Sequence, residues 1–360
     1  MCRRLRAALL ALGIVLSASS VRAQVVYSGR VYTARGHSWH QLRVIQVSDG
    51  KTTALTDSAR SHHWPRCTLD GRYIYFLSNT EDDEEIFPQQ IWRFERSTGT
   101  ESLVFRQPNL PPPTDADYSK REIWGLIGPS ADGRAIFFDI GAGEVLKFDG
   151  TETRLATTKE GTFSVLSPEA RRIALIGQDG HLRVINTSGR LLKDLGQCDL
   201  PAWSADGEQL ACFTSDQSVR TIDIASGTTT NKIALPSEGA HWSFPTTVAW
   251  RPDGKSLLVG CDGADSGSTS RYDDYWLLDL QKHTWKYIDG GNSALWTQDG
   301  SQIIYTSPRD LGLLPGERSK LSGATHQVWV TQLESADIET LKTRTLVGGV
   351  SHNEDPQWCP

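Results

Sequence analysis

Residues 201–213 read PAWSADGEQLACF, and the phrase returns as VAWRPDGKSLLV at residues 248–259 and ALWTQDGSQIIY at residues 294–305. Looser copies occupy residues 65–76, 128–138 and 166–175. Each copy predicts a short strand, a tight Asp-Gly turn and a second, apolar strand. Glycine suits this turn because a hairpin of this kind needs a residue with positive φ. Four-stranded units that repeat in this way are typical of β-propeller blades.

The spacing of the repeats predicts the number of blades. Innermost strands are expected to begin near the following residues: His62, Ile123, Thr162, Asp199, Thr246 and Asn292. These make six units. Residues 25–56 supply three further strands, and residues 352–360 supply one inner strand. Joining the two ends in one blade removes the open sheet edges that invite aggregation. The sequence therefore predicts an all-β, seven-bladed β-propeller whose N- and C-terminal strands close one shared blade, with six blades as the alternative.

The first 23 residues have the pattern of a signal peptide. Arg3, Arg4 and Arg6 precede an apolar run at residues 7–16, and small residues follow up to Ala23. The apolar run is too short to span a bilayer, which takes about 20 residues in helical form. We expect residues 1–23 to be a signal peptide, residues 24–360 to form a single propeller domain, and the protein to be periplasmic or secreted without a membrane span.

Charge and cysteine content restrict the possible partners and chemistry. The formal net charge is −6, and it becomes −10 without the four arginines of residues 1–23. An acidic chain without a cluster of Lys and Arg is poorly suited to nucleic acid. Past residue 23 the cysteines are Cys67, Cys198, Cys212, Cys261 and Cys359. Five buried thiols are the favoured interpretation. The alternative is a disulfide between Cys198 and Cys212, which lie on opposite arms of one predicted hairpin.

The repeated Pro-x-Trp-Ser-x-Asp-Gly phrase resembles the TolB-type, WD40-like propeller repeat, and the resemblance covers nearly all of residues 24–360. Similar repeats occur in the propeller domains of dipeptidyl peptidase IV relatives and of oligogalacturonate lyases. The resemblance implies the fold but little about function, because propellers host many unrelated activities. The chain lacks the Gly-x-Ser-x-Gly elbow of the peptidase relatives.

The long connections are predicted to emerge on one side of the ring. They are residues 78–90, 107–121, 236–245, 260–274 and 307–325. We call this side the loop face and the side with the Asp-Gly turns the hairpin face. Long loops on a rigid scaffold commonly bind ligands. Against this, extra loop length costs little and accumulates without function.

Histidines and tryptophans on the loop face are the candidate binding residues. The predicted ligand-binding residues are His62, His63, Trp64, His241, Trp242 and Trp39. The predicted metal ligands are His62, His241 and His352, because imidazoles that converge near the channel can hold a divalent transition metal. Solvated loop histidines are the alternative.

These features favour a monomeric, exported binding scaffold without cofactor or catalytic residues. Its loop face would bind a protein or a glycan. The alternative is a metal-dependent lyase or hydrolase that acts on a polysaccharide or a peptide. The resemblance to oligogalacturonate lyases supports that alternative, since those enzymes use a metal held by propeller histidines.

Overall fold

The computed structural model describes residues 24–32, 38–57, 60–78, 90–107, 123–141, 143–158, 164–236, 245–262, 273–307, 332–347 and 353–360. The strands in the first half of the ring are β1 (Gln24–Tyr32), β2 (Ser38–Gln46), β3 (Thr52–Ala54), β4 (His62–Cys67), β5 (Tyr73–Ser78), β6 (Gln90–Glu95), β7 (Thr100–Arg106), β8 (Ile123–Pro129), β9 (Ile136–Ile140), β10 (Glu144–Phe148) and β11 (Glu152–Thr157).

The second half continues the pattern: β12 (Val165–Leu166), β13 (Arg172–Ile176), β14 (His181–Asn186), β15 (Leu191–Gln197), β16 (Asp199–Trp203), β17 (Gln209–Thr214), β18 (Ser218–Asp223), β19 (Thr229–Ala234), β20 (Pro245–Trp250), β21 (Ser256–Asp262), β22 (Asp273–Asp279), β23 (Thr284–Trp296), β24 (Gln302–Ser307), β25 (Gln332–Asp337), β26 (Thr343–Val347) and β27 (Asn353–Cys359). The described residues contain no helix with the length and hydrophobicity of a membrane span.

These strands form seven antiparallel blades, as the repeats predict. Blades 1 to 4 are β4–β7, β8–β11, β12–β15 and β16–β19. The long strand β23 ends blade 5 by pairing with β22 and starts blade 6 by pairing with β24. Blade 7 joins β27 to β1, β2 and β3. Neighbouring inner strands contact one another around the whole circle, from β4 to β27 and back to β4. The predicted shared blade is confirmed.

The hydrophobic core lies between the blades. Seven apolar clusters of described residues each join two neighbouring blades. The cluster between blades 2 and 3, for example, packs Ile127 and Phe137 against Ile173. Each sheet therefore buries both of its faces, which explains why the strands show apolar residues on both sides rather than strict alternation.

The repeated tryptophans tie four of the inner strands to the preceding blade. Four indole Nε1–H groups each donate to a carbonyl of the preceding blade: Trp203 to Val165, Trp250 to Ala202, Trp296 to Ala249 and Trp358 to Trp296. The hydrogen bonds of Trp203, Trp250 and Trp296 are 3.0–3.1 Å long between nitrogen and oxygen. These four rings pack into the apolar clusters between neighbouring blades.

Four of the cysteines form disulfides, so the interpretation as five buried thiols is wrong. Cys67 bonds to Cys359 and Cys198 bonds to Cys212, whereas Cys261 is buried. The Cys198–Cys212 bond spans one hairpin, so the alternative prediction of a disulfide between these two residues is confirmed. The Cys67–Cys359 bond joins blade 1 to blade 7. No local pattern indicates that pair, because ring closure alone brings the two residues together.

The hairpin face consists of short turns that satisfy their own polar groups. In the turn of blade 4, Asp206 Oδ1 accepts hydrogen bonds from Ser204 Oγ at 2.6 Å and from Glu208 N at 2.9 Å. The Ser204 hydrogen bond, followed by the backbone one, lowers the pKa of Asp206. Gly207 has φ +72°, and its counterpart Ala170 adopts φ +54° without being glycine. These turns leave few polar groups for a partner.

Candidate binding site on the loop face

The structure places some of the predicted site residues together and leaves others undescribed. His62, His63 and Trp64 begin β4, and Trp39 lies near the start of β2. His241, Trp242 and His352 lie outside the described residues, so their predicted roles stay predictions. The blade 7–blade 1 boundary is thus the part of the predicted site whose geometry is defined.

His62 is buried at the seam between blades 7 and 1. Its side chain is fully buried, and its ring packs at 4.6 Å between centroids against Phe76 of β5. Nδ1 lies 3.1 Å from the His40 carbonyl, which can only accept, so Nδ1 carries a hydrogen. Nε2 lies 3.5 Å from Glu101 Oε2. Both ring nitrogens therefore face protein groups at the seam between blades 7 and 1.

A charged network covers this seam. Arg60 Nη2 donates to Glu101 Oε2 at 3.0 Å, and its guanidinium stacks 3.7 Å from the centroid of the Trp92 ring. Burial by itself raises the pKa of Glu101. The hydrogen bond from His62 and the charges of His62 and Arg60 outweigh burial, so the pKa of Glu101 lies below its ordinary value. The network fits a structural role because it joins the start of β4 to the outer strand of blade 1.

His63 and Trp64 form a more accessible surface beside this network. The His63 ring lies 4.5 Å from the His40 ring and 6.5 Å from the Trp64 ring, and His63 is half-buried. Trp64 adopts φ +49°, where the pairing of β4 with β5 contains a bulge. A bulge redirects side chains relative to regular alternation. The half-buried rings of His63 and Trp64, which lie beside the buried ring of His40, are therefore a candidate contact surface.

The same backbone irregularity recurs in other inner strands. Leu200, Ser293 and Asp355 also have positive φ, between +50° and +53°. Each lies at a register shift in the pairing of its inner strand with the next strand. Bulges are common beside functional sites, where they re-aim side chains. The positions of side chains around the channel mouth thus depend on bulges that strand periodicity does not reveal.

Two tryptophans near the loop face carry buried, unfilled hydrogen-bond donors. Trp39 Nε1 and Trp124 Nε1 have no acceptor among the described residues. Trp39 follows the connection between β1 and β2, and Trp124 follows the connection that leads into β8. Buried donors without partners are rare and commonly mark a place where water or a ligand supplies the acceptor. The sequence predicts Trp39 as a ligand-binding residue, but it does not single out Trp124.

Asp139 is an unusual buried acid that the sequence analysis missed. Its side chain is 7% exposed in β9, and Oδ1 accepts a hydrogen bond from Ser164 Oγ at 3.1 Å, across the boundary between blades 2 and 3. Burial raises the pKa of Asp139 to about 7, although hydrogen bonds from Ser164 oppose the shift. The sequence contains one signal for this residue. Asp139 is an acid at the repeat position that Leu77 and Phe213, both apolar, occupy in blades 1 and 4.

The described residues show no cluster of three or more His, Cys, Asp or Glu side chains arranged to hold a metal ion. His62, the one predicted metal ligand among them, has its two nitrogens directed at His40 and Glu101. His241 and His352 are not described, so the predicted metal site stays a prediction.

Comparison with known proteins shows a similarity of fold alone. No protein-family model matches the chain, and no curated protein matches it. Among solved structures, TolB from Acinetobacter baumannii is 13% identical with a TM-score of 0.56, over 94% of this chain and 67% of that one.

Two other solved structures align over nearly their whole length. A putative 6-phosphogluconolactonase from Bacteroides uniformis is 12% identical with a TM-score of 0.58, over 93% of this chain and 99% of that one. Another from Bacteroides fragilis is 11% identical with a TM-score of 0.57, over 95% and 99%. Sequence identities this low support a shared fold and give no information about activity. The chain is therefore a seven-bladed β-propeller, similar in fold to TolB and to these two proteins.

Proposed function

We propose that this chain is an exported, non-catalytic binding protein that holds a protein or glycan partner on its loop face. The main support for this proposal is that the long connections between strands lie on one face of the ring. Every connection on the hairpin face is short, the longest being residues 130–135 between β8 and β9. Residues 79–89, 107–122, 235–244, 263–272 and 308–331 all connect strand ends on the loop face. One-sided elaboration of a rigid ring is typical of a binding surface.

The polar groups of the two faces support the same assignment. Hairpin-face carboxylates such as Asp206 and Asp299 accept hydrogen bonds from their own turns. Near the loop face, by contrast, the indole donors of Trp39 and Trp124 lack acceptors among the described residues. A ligand with hydrogen-bond acceptors would satisfy them.

Export to the periplasm or beyond is part of the proposal. The two disulfides fit an oxidising compartment, where such bonds form and persist. Fractionation of cells and N-terminal sequencing test this step. A mature protein that starts at Gln24 outside the cytoplasm supports export, and an intact Met1 on a cytoplasmic protein contradicts it.

Paired surface variants test the binding face. His63→Ala and Trp242→Ala change the loop face, whereas Lys255→Ala and Glu208→Gln change exposed residues of the hairpin face. We expect cross-linking to the partner in intact cells to fall only for the first pair. Exposed substitutions usually alter stability by about 0.5 kcal/mol or less, so thermal melting should distinguish lost contact from unfolding. Loss of cross-linking confined to the hairpin-face variants would reverse the assignment.

A further inference from the structure

A cavity of about 290 Å³ opens on the loop face where blades 3 and 4 meet. Its walls come from the β13–β14 turn, the β15–β16 connection and the β17–β18 turn. The polar residues of its lining are Gln178, Asp179, Gln197, Asp199 and Ser215. The cavity is separate from the His63–Trp64 surface, which belongs to blade 1.

The walls of this cavity are held in place by covalent and hydrogen bonds. The Cys198–Cys212 disulfide, with Cα atoms 5.8 Å apart, ties the β15–β16 connection to β17. Cys198 N donates to Gly180 O at 3.4 Å, and Gly180 N donates to Gly177 O at 2.9 Å within the next turn. On the third wall, Gln217 N donates to Thr214 O at 3.0 Å. A ligand would therefore meet a preformed pocket and pay little ordering entropy.

The cavity is negatively charged, and one carboxylate in it is available. Asp179 is occupied, because Arg183 donates to its two oxygens at 2.9 and 2.5 Å. These hydrogen bonds lower the pKa of Asp179 to about 2. Asp199 is exposed and forms no ion pair within the described part of the chain. The lining contains no Lys, Arg or His. No cation in the lining neutralises the charge of Asp199. Asp199 is therefore free to attract a cation from a ligand.

The size and lining of the cavity suit one long side chain. Pockets for drug-sized ligands occupy about 300–1,000 Å³ and are mostly apolar. This cavity is at the lower end of that range and is polar, with amides from Gln178 and Gln197 and the hydroxyl of Ser215 in its lining. An unbranched chain with a cationic head can extend into this space and donate hydrogen bonds from its head to Asp199 and to the neighbouring amide and hydroxyl oxygens. Guanidinium and ammonium groups have this form.

We propose that the pocket binds an arginine or lysine side chain of a protein partner, with the cation held by Asp199. The proposal deepens the binding role of the loop face and rests on it for its biological meaning. It also fits the charge of the protein, −6 overall, since an acidic surface attracts a basic partner. The expected partner is therefore a protein whose contacting segment is basic.

The test uses the full-length protein and short blocked peptides. Binding of an arginine-containing tripeptide is followed by the NMR shifts of the Gly180 and Ser215 amides, with the citrulline tripeptide as the neutral isostere. We expect saturable, millimolar binding of the arginine peptide only. Asp199→Asn should weaken it about tenfold, because a charge-assisted hydrogen bond is lost. Glu208→Gln, with the same charge change on the hairpin face, should leave the affinity within about twofold.

Three outcomes would overturn the proposal: equal binding of the citrulline peptide, equal binding by Asp199→Asn, or no saturable shift at all. Agmatine, a free guanidinium compound, distinguishes the source of the cation. Agmatine binding about tenfold tighter than the peptide would identify a free amine as the ligand and contradict the protein partner. These measurements involve no natural partner, so their failure leaves the loop-face cross-linking test of the proposed function unaffected.

Discussion

Cys67 and Cys359 are bonded across the closing seam of the ring, with Cα atoms 5.5 Å apart and a sequence separation of 292. Cys67 occupies the place in its repeat that Trp203 holds in blade 4. In blades 4 to 7 the tryptophan at this place donates to the preceding blade. A covalent bond thus replaces the indole hydrogen bond where the first and last blades meet.

The two disulfides are expected to contribute unequally to stability. In the chain-entropy description a disulfide that closes a loop of about 15 residues contributes about 3 kcal/mol, and one that closes about 100 residues contributes about 4.7 kcal/mol. The Cys67→Ser/Cys359→Ser variant should therefore lose more free energy of unfolding than Cys198→Ser/Cys212→Ser, whose cysteines are 14 apart. Urea denaturation measures both. An equal or larger loss for the Cys198 pair would contradict this.

Asp139 should make the protein less stable as pH rises. Its pKa in the folded state is raised to about 7 from 3.8, mainly by burial, so the folded protein keeps a proton that the unfolded chain releases. The free energy of unfolding should fall between about pH 4 and pH 7, by up to about 4 kcal/mol at about 1.4 kcal/mol per unit. Asp139→Asn should melt higher than wild type at pH 8 and about equally at pH 4. Glu208→Gln is the exposed control, and a matching rise in that variant would exclude Asp139 as the cause.

The hydrogen bond from Trp250 to Ala202 should be measurable in stability. Trp250 is buried, and its Nε1–H donates to the carbonyl of the preceding inner strand at 3.0 Å. Trp250→Phe leaves that carbonyl unpaired and should cost about 1–3 kcal/mol. Trp285 Nε1 donates to Ala234 O at 3.2 Å in an exposed setting, so Trp285→Phe should cost less. Chemical denaturation compares the two, and equal costs would argue against a special role for the inner-strand bond.

The metal content of the purified protein should be below one equivalent. His62 directs both ring nitrogens at protein groups, which leaves only His241 and His352 of the predicted ligand set. Two histidines alone are fewer than the three protein ligands typical of catalytic zinc. Elemental analysis of wild type, His241→Ala and His352→Ala settles the point. Stoichiometric zinc, manganese or iron that disappears in either variant would favour the lyase or hydrolase.

Part of the candidate site could be predicted from the sequence. The placement of His63 and Trp64 at the start of an inner strand follows from the repeat and is confirmed. The direction of His62 could not be predicted, because the bulge between His63 and Arg66 interrupts the alternation of side chains. Asp139 could have been noticed as an acid at a position that is otherwise apolar in several repeats. Its partner Ser164 comes from the next blade, and that contact requires the assembled ring.

By itself the sequence determined the propeller, the number of blades and the blade shared by the two ends. These depend on local chemistry: a turn such as Ser204–Glu208 needs a residue with positive φ, and its strands need apolar side chains on both faces. Only the tertiary structure decided the Cys67–Cys359 bond, the burial of His62 and the cavity beside Asp199. Each of these joins neighbouring blades or separate connections of the chain. Such contacts are made by the closed ring, and no repeat within a single blade encodes them.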